Sequence, residues 1–159
     1  MMIRNLTPAD LALAHAWNQA NTPHVNSLDF AAFSKVYGMS SHRYLIEYNG
    51  SPAGFSWLMH PESLYESVNF RYFKDRFTNF LYLDRIVIGK EFRGKQLATT
   101  LYEHIFTTHP AIPICCEVNS YPPNIASMKL HTKLGFKVIG EQSTDKGKKN
   151  VQLMVYNHT

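Results

Sequence analysis

The segment from Phe80 to Ile88 constrains the fold more than any other. It is a near-continuous apolar run interrupted by Asp84-Arg85, which reads as a central strand buried on both faces. The chain then turns through Arg93-Gly94 into a helical stripe of Leu97, Ala98, Leu101, Tyr102, Ile105 and Phe106. Pro113 to Asn119 reads as another strand, Tyr121-Pro122-Pro123 as a loop, and Asn124 to Leu134 as a helix stopped by Gly135.

Around this centre the remaining elements follow from local chemistry. Met2-Ile3-Arg4 reads as a short strand, and Thr7-Pro8-Ala9-Asp10 as a helix start with Thr7 as cap and Asp10 reaching back. Asp29 to Tyr37 carries a second helical pattern closed by Gly38. Arg43 to Tyr48, Asn49-Gly50 and Ala53 to Met59 form a hairpin pattern. Glu62 to Phe77 is aromatic and irregular and fits either a helix or a lid-like excursion. Phe136 to Gln142 and Val151 to Tyr156 close the chain as two strands. The expectation is one α/β domain over residues 1–159, with about six or seven strands and four helices. Its 45% apolar and 13% aromatic residues suffice for a core and exclude a disordered or fibrous chain.

The turn between strand and helix carries the first chemical signal. Glycine and basic residues at a helix N-terminus present free backbone N–H groups at the positive end of the dipole, a site for a pyrophosphate. Arg93-Gly94-Lys95-Gln96-Leu97-Ala98 resembles the Arg/Gln-x-x-Gly-x-Gly/Ala turn of the GNAT superfamily of acyl-CoA N-acyltransferases. Asn124-Ile125-Ala126-Ser127, followed by His131 and Lys133-Leu134-Gly135-Phe136, resembles that family's second motif. The two motifs span Phe80 to Phe136, about a third of the chain. Gln96 stands where the family usually has Gly or Ala, and His131 where Tyr is commonest. Asp84-Arg85-Ile86, Cys116-Glu117-Val118-Asn119 and Pro122-Pro123-Asn124 with His131 resemble a subgroup of predicted acetyltransferases that brings no substrate with it.

The resemblance implies a mixed, mostly antiparallel sheet between two helical layers, with acetyl-CoA in a gap between two splayed parallel strands. The backbone of Ile86, Val87 and Ile88 would pair with the pantetheine arm. The amides of Arg93, Gly94, Lys95, Gln96, Leu97 and Ala98 would hold the pyrophosphate, and Asn124 and Ser127 would border the arm from the other side. Tyr82 and Asn119 are the expected acceptor contacts. The segment before the central strand and the stretch from Asn21 to Phe33 would set acceptor specificity.

Acyl transfer to an amine needs a proton acceptor for an ammonium of pKa about 10.4 and a proton donor for a thiolate of pKa about 8.5. His131 is the candidate acid: Asn124, Ser127 and His131 share a helical face beside a core stripe of Ala126, Leu130 and Leu134. The alternative for His131 is a locally hydrogen-bonded helix histidine. Asp84 and Glu117 are the candidate bases, being carboxylates inside apolar strands. Tyr82, Asp84 and Ile86 are expected on one strand face. The alternative for either carboxylate is an ion pair, with Arg71 or Arg76 for example. No Gly-x-Ser-x-Gly elbow occurs, so a direct attack is expected.

The main expectation is therefore an N-acetyltransferase acting on a primary amine of a small molecule, amino acid or peptide. The alternative is a related domain that binds acyl-CoA as a sensor without turnover. The formal charge of +4 suits an anionic small ligand, but the basic residues form no stripe for nucleic acid. Neither a membrane segment nor a signal peptide is read, and the other histidines have surface or capping roles rather than metal spacing. Adjacent Cys115 and Cys116 do not easily close a disulfide, which suggests a reduced, cytoplasmic chain. Dimerisation through the last strands is what related folds imply.

Overall fold

The structure is a computed structural model describing residues 1–158. Seven strands form one sheet: β1 (Met2–Asn5), β2 (His42–Tyr48), β3 (Ser51–Met59), β4 (Leu81–Ile88), β5 (Ile114–Tyr121), β6 (Lys137–Thr144) and β7 (Lys149–Tyr156). Their spatial order is β1-β2-β3-β4-β5-β7-β6, and every neighbouring pair is antiparallel except β4 and β5. Five α-helices accompany them: α1 (Leu11–Ala20), α2 (Phe30–Met39), α3 (Val68–Lys74), α4 (Leu97–Thr108) and α5 (Ile125–Leu134). The mixed α/β sheet and its one parallel pair agree with the expected architecture. The fifth helix is α3, in the segment that periodicity left as helix or excursion.

Side-chain oxygens start the helices: Asp29 accepts from the Ala32 N–H, Ser67 from that of Phe70 and Asn124 from that of Ser127. Asn49 and Gly50, with φ of 49° and 79°, make the tight turn between β2 and β3. The helix α2 runs past Gly38 to Met39, because Ser40 rather than the glycine caps it.

The helices lie in two layers. Those of α1, α2 and α3 cover one face through Trp17, Phe33, Phe70 and Phe73, packed on Trp57, Tyr82 and Leu153. The opposite face meets α4 and α5 through Leu97, Leu101, Tyr102 and Ile105, packed on Leu58, Ile114 and Cys116. Along α5 the expected stripe is displaced. Ala126 is exposed, Leu130 and Leu134 are only partly covered, and His131 is the buried residue. Among the described residues no helix is long and apolar enough to cross a membrane.

Four histidines that are scattered in sequence gather near the start of β2. The His42 ring lies 4.4 Å from that of His109 and 5.1 Å from that of His60. Tyr44 joins the group, its hydroxyl 2.8 Å from His109 Nε2 and its ring 5.0 Å from that of His104. Burial and the neighbouring imidazoles push His109 down from 6.5 to about 4, and burial with His60 lowers His42. The unfolded chain therefore binds protons first as pH falls. The expected outcome is a melting temperature that is steady above about pH 6.5 and declines as pH falls toward 4. His109→Gln should flatten that decline in thermal melts across the same range.

Candidate functional site

The site begins where the sheet comes apart. β4 and β5 are in register only at Leu81–Ile114 and Tyr82–Cys115, and beyond Tyr82 the two strands diverge. Backbone groups of β4 from Leu83 to Ile88 that point toward β5 then meet no strand. That stretch contains Ile86, Val87 and Ile88, the residues expected to pair with an extended ligand. The gap opens into a cleft of about 1190 Å³ reaching both faces of the sheet, with Glu117 and Asp84 on its wall as well as Tyr102 and His131.

The turn after β4 stands outside the cleft's lining, which includes Ile86 but neither Val87, Ile88 nor residues 93–98; Arg93 reaches it through Asn21. A 3₁₀ turn (Lys90–Phe92) leads to Arg93, Gly94, Lys95 and Gln96, all exposed, and Leu97 anchors the start of α4 at 2% exposure. Gly94 and Gln96 both have left-handed backbone, with φ of 77° and 60°. A non-glycine residue there costs about 1–2 kcal/mol, and Gln96 adopts the conformation all the same. The first-turn amides, including those of Leu97 and Ala98, have no carbonyl partner within the helix. The Arg93 guanidinium donates to Asn21 Oδ1 at 3.1 Å, and Lys95 Nζ lies 5.2 Å from the Tyr48 ring centre. The turn is thus exposed and basic, with free first-turn amides of the kind that suit an anion.

A β-bulge governs the wall on the α1–α3 side. Leu83 pairs with Leu58 and Arg85 with Trp57, so Asp84 is an extra residue in β4. Tyr82 lies in the α1–α3 core, whereas Ile86 packs on the α4–α5 side. The expectation that Tyr82, Asp84 and Ile86 share a face is corrected by this inserted residue, which shifts the alternation by one. Asp84 and Arg85 both point to the α1–α3 side. The expected partner of Asp84 is corrected too: it is Arg85, at 2.6 Å, while Arg76 stacks on Tyr72 and Arg71 is exposed. Trp57 Nε1 and the Tyr65 hydroxyl also donate to Asp84, at 2.8 and 2.7 Å, and Arg85 donates onward to Asn18 of α1 at 2.8 Å. Both oxygens of Asp84 are therefore occupied by donors, which suits a strut better than a proton acceptor.

Glu117, on β5, is the other candidate base. No cation pairs with it among the described residues. The Tyr82 hydroxyl lies 2.7 Å from both of its oxygens, and the surrounding protein desolvates the carboxylate and pushes its pKa up to about 8. Tyr82, expected as an acceptor contact, thus supports Glu117. Asn119 lines the cleft while its amide donates at 3.2 Å to the Pro23 carbonyl. With Lys149, 3.0 Å from the same carbonyl, it ties the loop after α1 across the mouth.

On the α4–α5 side Asn124, Ser127 and His131 line the cleft together. His131 Nδ1 is 2.7 Å from the Ser127 carbonyl, which can only accept, so Nδ1 carries the proton. Nε2 then accepts from the Tyr102 hydroxyl. Burial lowers the His131 pKa, favouring this neutral form. His131, the candidate acid, thus sits as a locally hydrogen-bonded neutral imidazole, the alternative read for it, and the O–H at this point belongs to Tyr102. Sequence reasoning counted Tyr102 as helix core; a buried tyrosine hydroxyl that must find a partner was the available signal. Arg85, Trp57 and Tyr65 were missed as well, since nothing local shows that a bulge brings them together. Among the described residues no group of three or more His, Cys, Asp or Glu could hold a metal ion.

Comparison with known proteins agrees with this geometry. The profile of the acetyltransferase (GNAT) family matches residues 11–136. No curated protein matches the sequence. Among solved structures, the ribosomal-protein-S18-alanine N-acetyltransferase of Escherichia coli is similar over 99% of this chain and 94% of its own, at 18% identity and a TM-score of 0.74. Salmonella typhimurium yncA, solved with its cofactor acetyl-CoA, is similar over 100% and 94%, at 19% identity and 0.70. Arabidopsis thaliana NAA60, in complex with a bisubstrate analogue, is similar over 98% and 97%, at 14% identity and 0.71.

The Asp84–Arg85 strut can be tested without a ligand. Removing one partner of a buried pair leaves the other charge uncompensated, at a cost of about 3–5 kcal/mol. Asp84→Ala is expected to lower the unfolding free energy by that amount in urea titration. An effect below about 1 kcal/mol, the range of an exposed pair, would contradict the strut.

Proposed function

We propose that this chain, which belongs to the acetyltransferase (GNAT) family, transfers an acetyl group from acetyl-CoA to a primary amine by direct attack. The acceptor class is an amine of a small molecule, amino acid or peptide. The observation that carries the reading is the cleft between the diverging strands. It has an uncompensated carboxylate on one side and a tyrosine–histidine pair on the other. The free edge of β4 suits the amides of the pantetheine arm, and the exposed turn from Arg93 to Ala98 suits the pyrophosphate. Asn124 and Ser127 border the arm from α5.

The acceptor arrives as an ammonium and attacks only after losing a proton. Glu117 takes it, with a pKa raised by burial to about 8, close enough to working pH for general base catalysis. The neutral nitrogen attacks the thioester carbonyl carbon, the carbon–sulfur bond breaks, and the sulfur leaves as a thiolate. Its proton comes from the Tyr102 hydroxyl, held by His131 Nε2. The second proton leaving the nitrogen returns to the Tyr102 oxygen, and Glu117 releases the first to solvent, so that each turnover yields amide, free thiol and one proton. Covalent catalysis by Cys115 or Cys116 has no support, because burial pushes both thiols up and away from the reactive thiolate.

Acetyl-CoA at 100 times its Kd should add about 2.7 kcal/mol of stability, a rise in melting temperature of roughly 5–11 °C. Release of free thiol that depends on an added amine then separates an enzyme from a domain that only binds. Glu117→Gln is expected to lower kcat by about 10²–10⁴-fold while leaving the acetyl-CoA melting shift intact. In the unsubstituted protein kcat/KM should rise with pH through about 8, as Glu117 loses its proton. A pH-independent rate between 6 and 9, or full activity in Glu117→Gln, would remove Glu117 from this role.

A further inference from the structure

The amine side of the cleft has a composition that acetyl transfer alone does not require. Leu64 is 85% exposed and Val68 59% exposed, and both line the cleft, ahead of and within α3. Each leaves in water an aliphatic surface whose burial would be favourable. Four residues apart and both in the cleft's lining, they offer that apolar surface to whatever the cleft binds. The same lining includes Leu28, Val36 and Met39.

The buried part of the same wall holds one committed ion pair and one free carboxylate. Four carboxylates line the cleft: Glu66, Asp84, Glu117 and Asp145. Asp84 is committed to Arg85 at 2.6 Å. Glu66 and Asp145 are exposed, and Lys35 and Lys149 stand in the same lining as opposite charges. Glu117 is left as the one carboxylate of the wall that is neither exposed nor paired with a cation. A second ammonium buried close to the first would find no other free carboxylate beside Glu117, since Asp84 is paired and Glu66 and Asp145 are exposed to solvent, and its desolvation would go uncompensated.

We propose that the acceptor is a monoamine with an apolar body: a single ammonium that reaches Glu117, and an aliphatic or aromatic group that covers Leu64 and Val68. Polyamines are selected against. The assignment rests on the transfer reading above for its chemistry, but its geometry concerns amine binding and can be measured apart from turnover.

The test compares 2-phenylethylamine with spermidine on the full chain. Binding of each to protein saturated with CoA is read by calorimetry, and turnover with acetyl-CoA by thiol release. The expected result is that 2-phenylethylamine binds at least about tenfold more tightly than spermidine. Leu64→Asp and Val68→Asp should each weaken its binding about tenfold, narrow the gap to spermidine, and leave the acetyl-CoA melting shift unchanged. Tighter binding of spermidine, no binding of 2-phenylethylamine, or an unchanged ratio in both variants would overturn the proposal. If 2-phenylethylamine binds as expected and no thiol is released with any amine, the amine site stands and the transfer reading falls. If spermidine supports rapid thiol release and 2-phenylethylamine does not, transfer stands and this assignment falls.

Discussion

The one-residue bulge at Asp84 organises the rest of the site. It coincides with the place where β4 leaves β5, and it turns two consecutive charged side chains toward the same side of the sheet. Such charges are tolerable there only because each is answered: Asp84 by Arg85, Trp57 and Tyr65, and Arg85 also by Asn18 of α1. The ion pair therefore locks a strand irregularity to the hairpin, to the segment before α3 and to the first helix. Those are the elements that frame the amine side. The irregularity beside the point where β4 leaves β5 thus commits Asp84 to Arg85 and leaves Glu117 as the buried carboxylate without a cation.

The two sides of the cleft use similar side chains to opposite ends. Tyr82 donates to Glu117 and Tyr102 donates to His131, and burial raises the pKa of both phenols. On the α1–α3 side the tyrosine bonds a carboxylate whose pKa burial raises. On the α4–α5 side it bonds an imidazole kept neutral by burial and by the Ser127 carbonyl. The sheet separates the two pairs, which face one gap from opposite sides.

Much of the fold was legible because it rests on local periodicity and local turn chemistry. The apolar run of β4, the Asn49-Gly50 turn, the stripe of α4 and the Gly135 stop all appear in the structure near their expected positions. What was not legible depends on non-local register. A strand pattern of period two cannot reveal an inserted residue, so Ile86 was assigned to the wrong face. Sequence distance likewise hid the gathering of His42, His60, His104 and His109. The site residues around the turn and α5 were legible through motif spacing. The short-range pairing of Asp84 with Arg85 was overlooked because regular alternation would point the two apart.

The parting of β4 and β5 also changes what counts as the perimeter of the sheet. A seven-stranded open sheet ordinarily has two edges, here β1 and β6. This one has two more in its interior, facing each other across the gap. Unpaired edges invite adhesion between molecules, but these inner ones are set back between the two helical layers. The fold thus keeps unsatisfied backbone valence inside the molecule, away from the outer rims where sheets join.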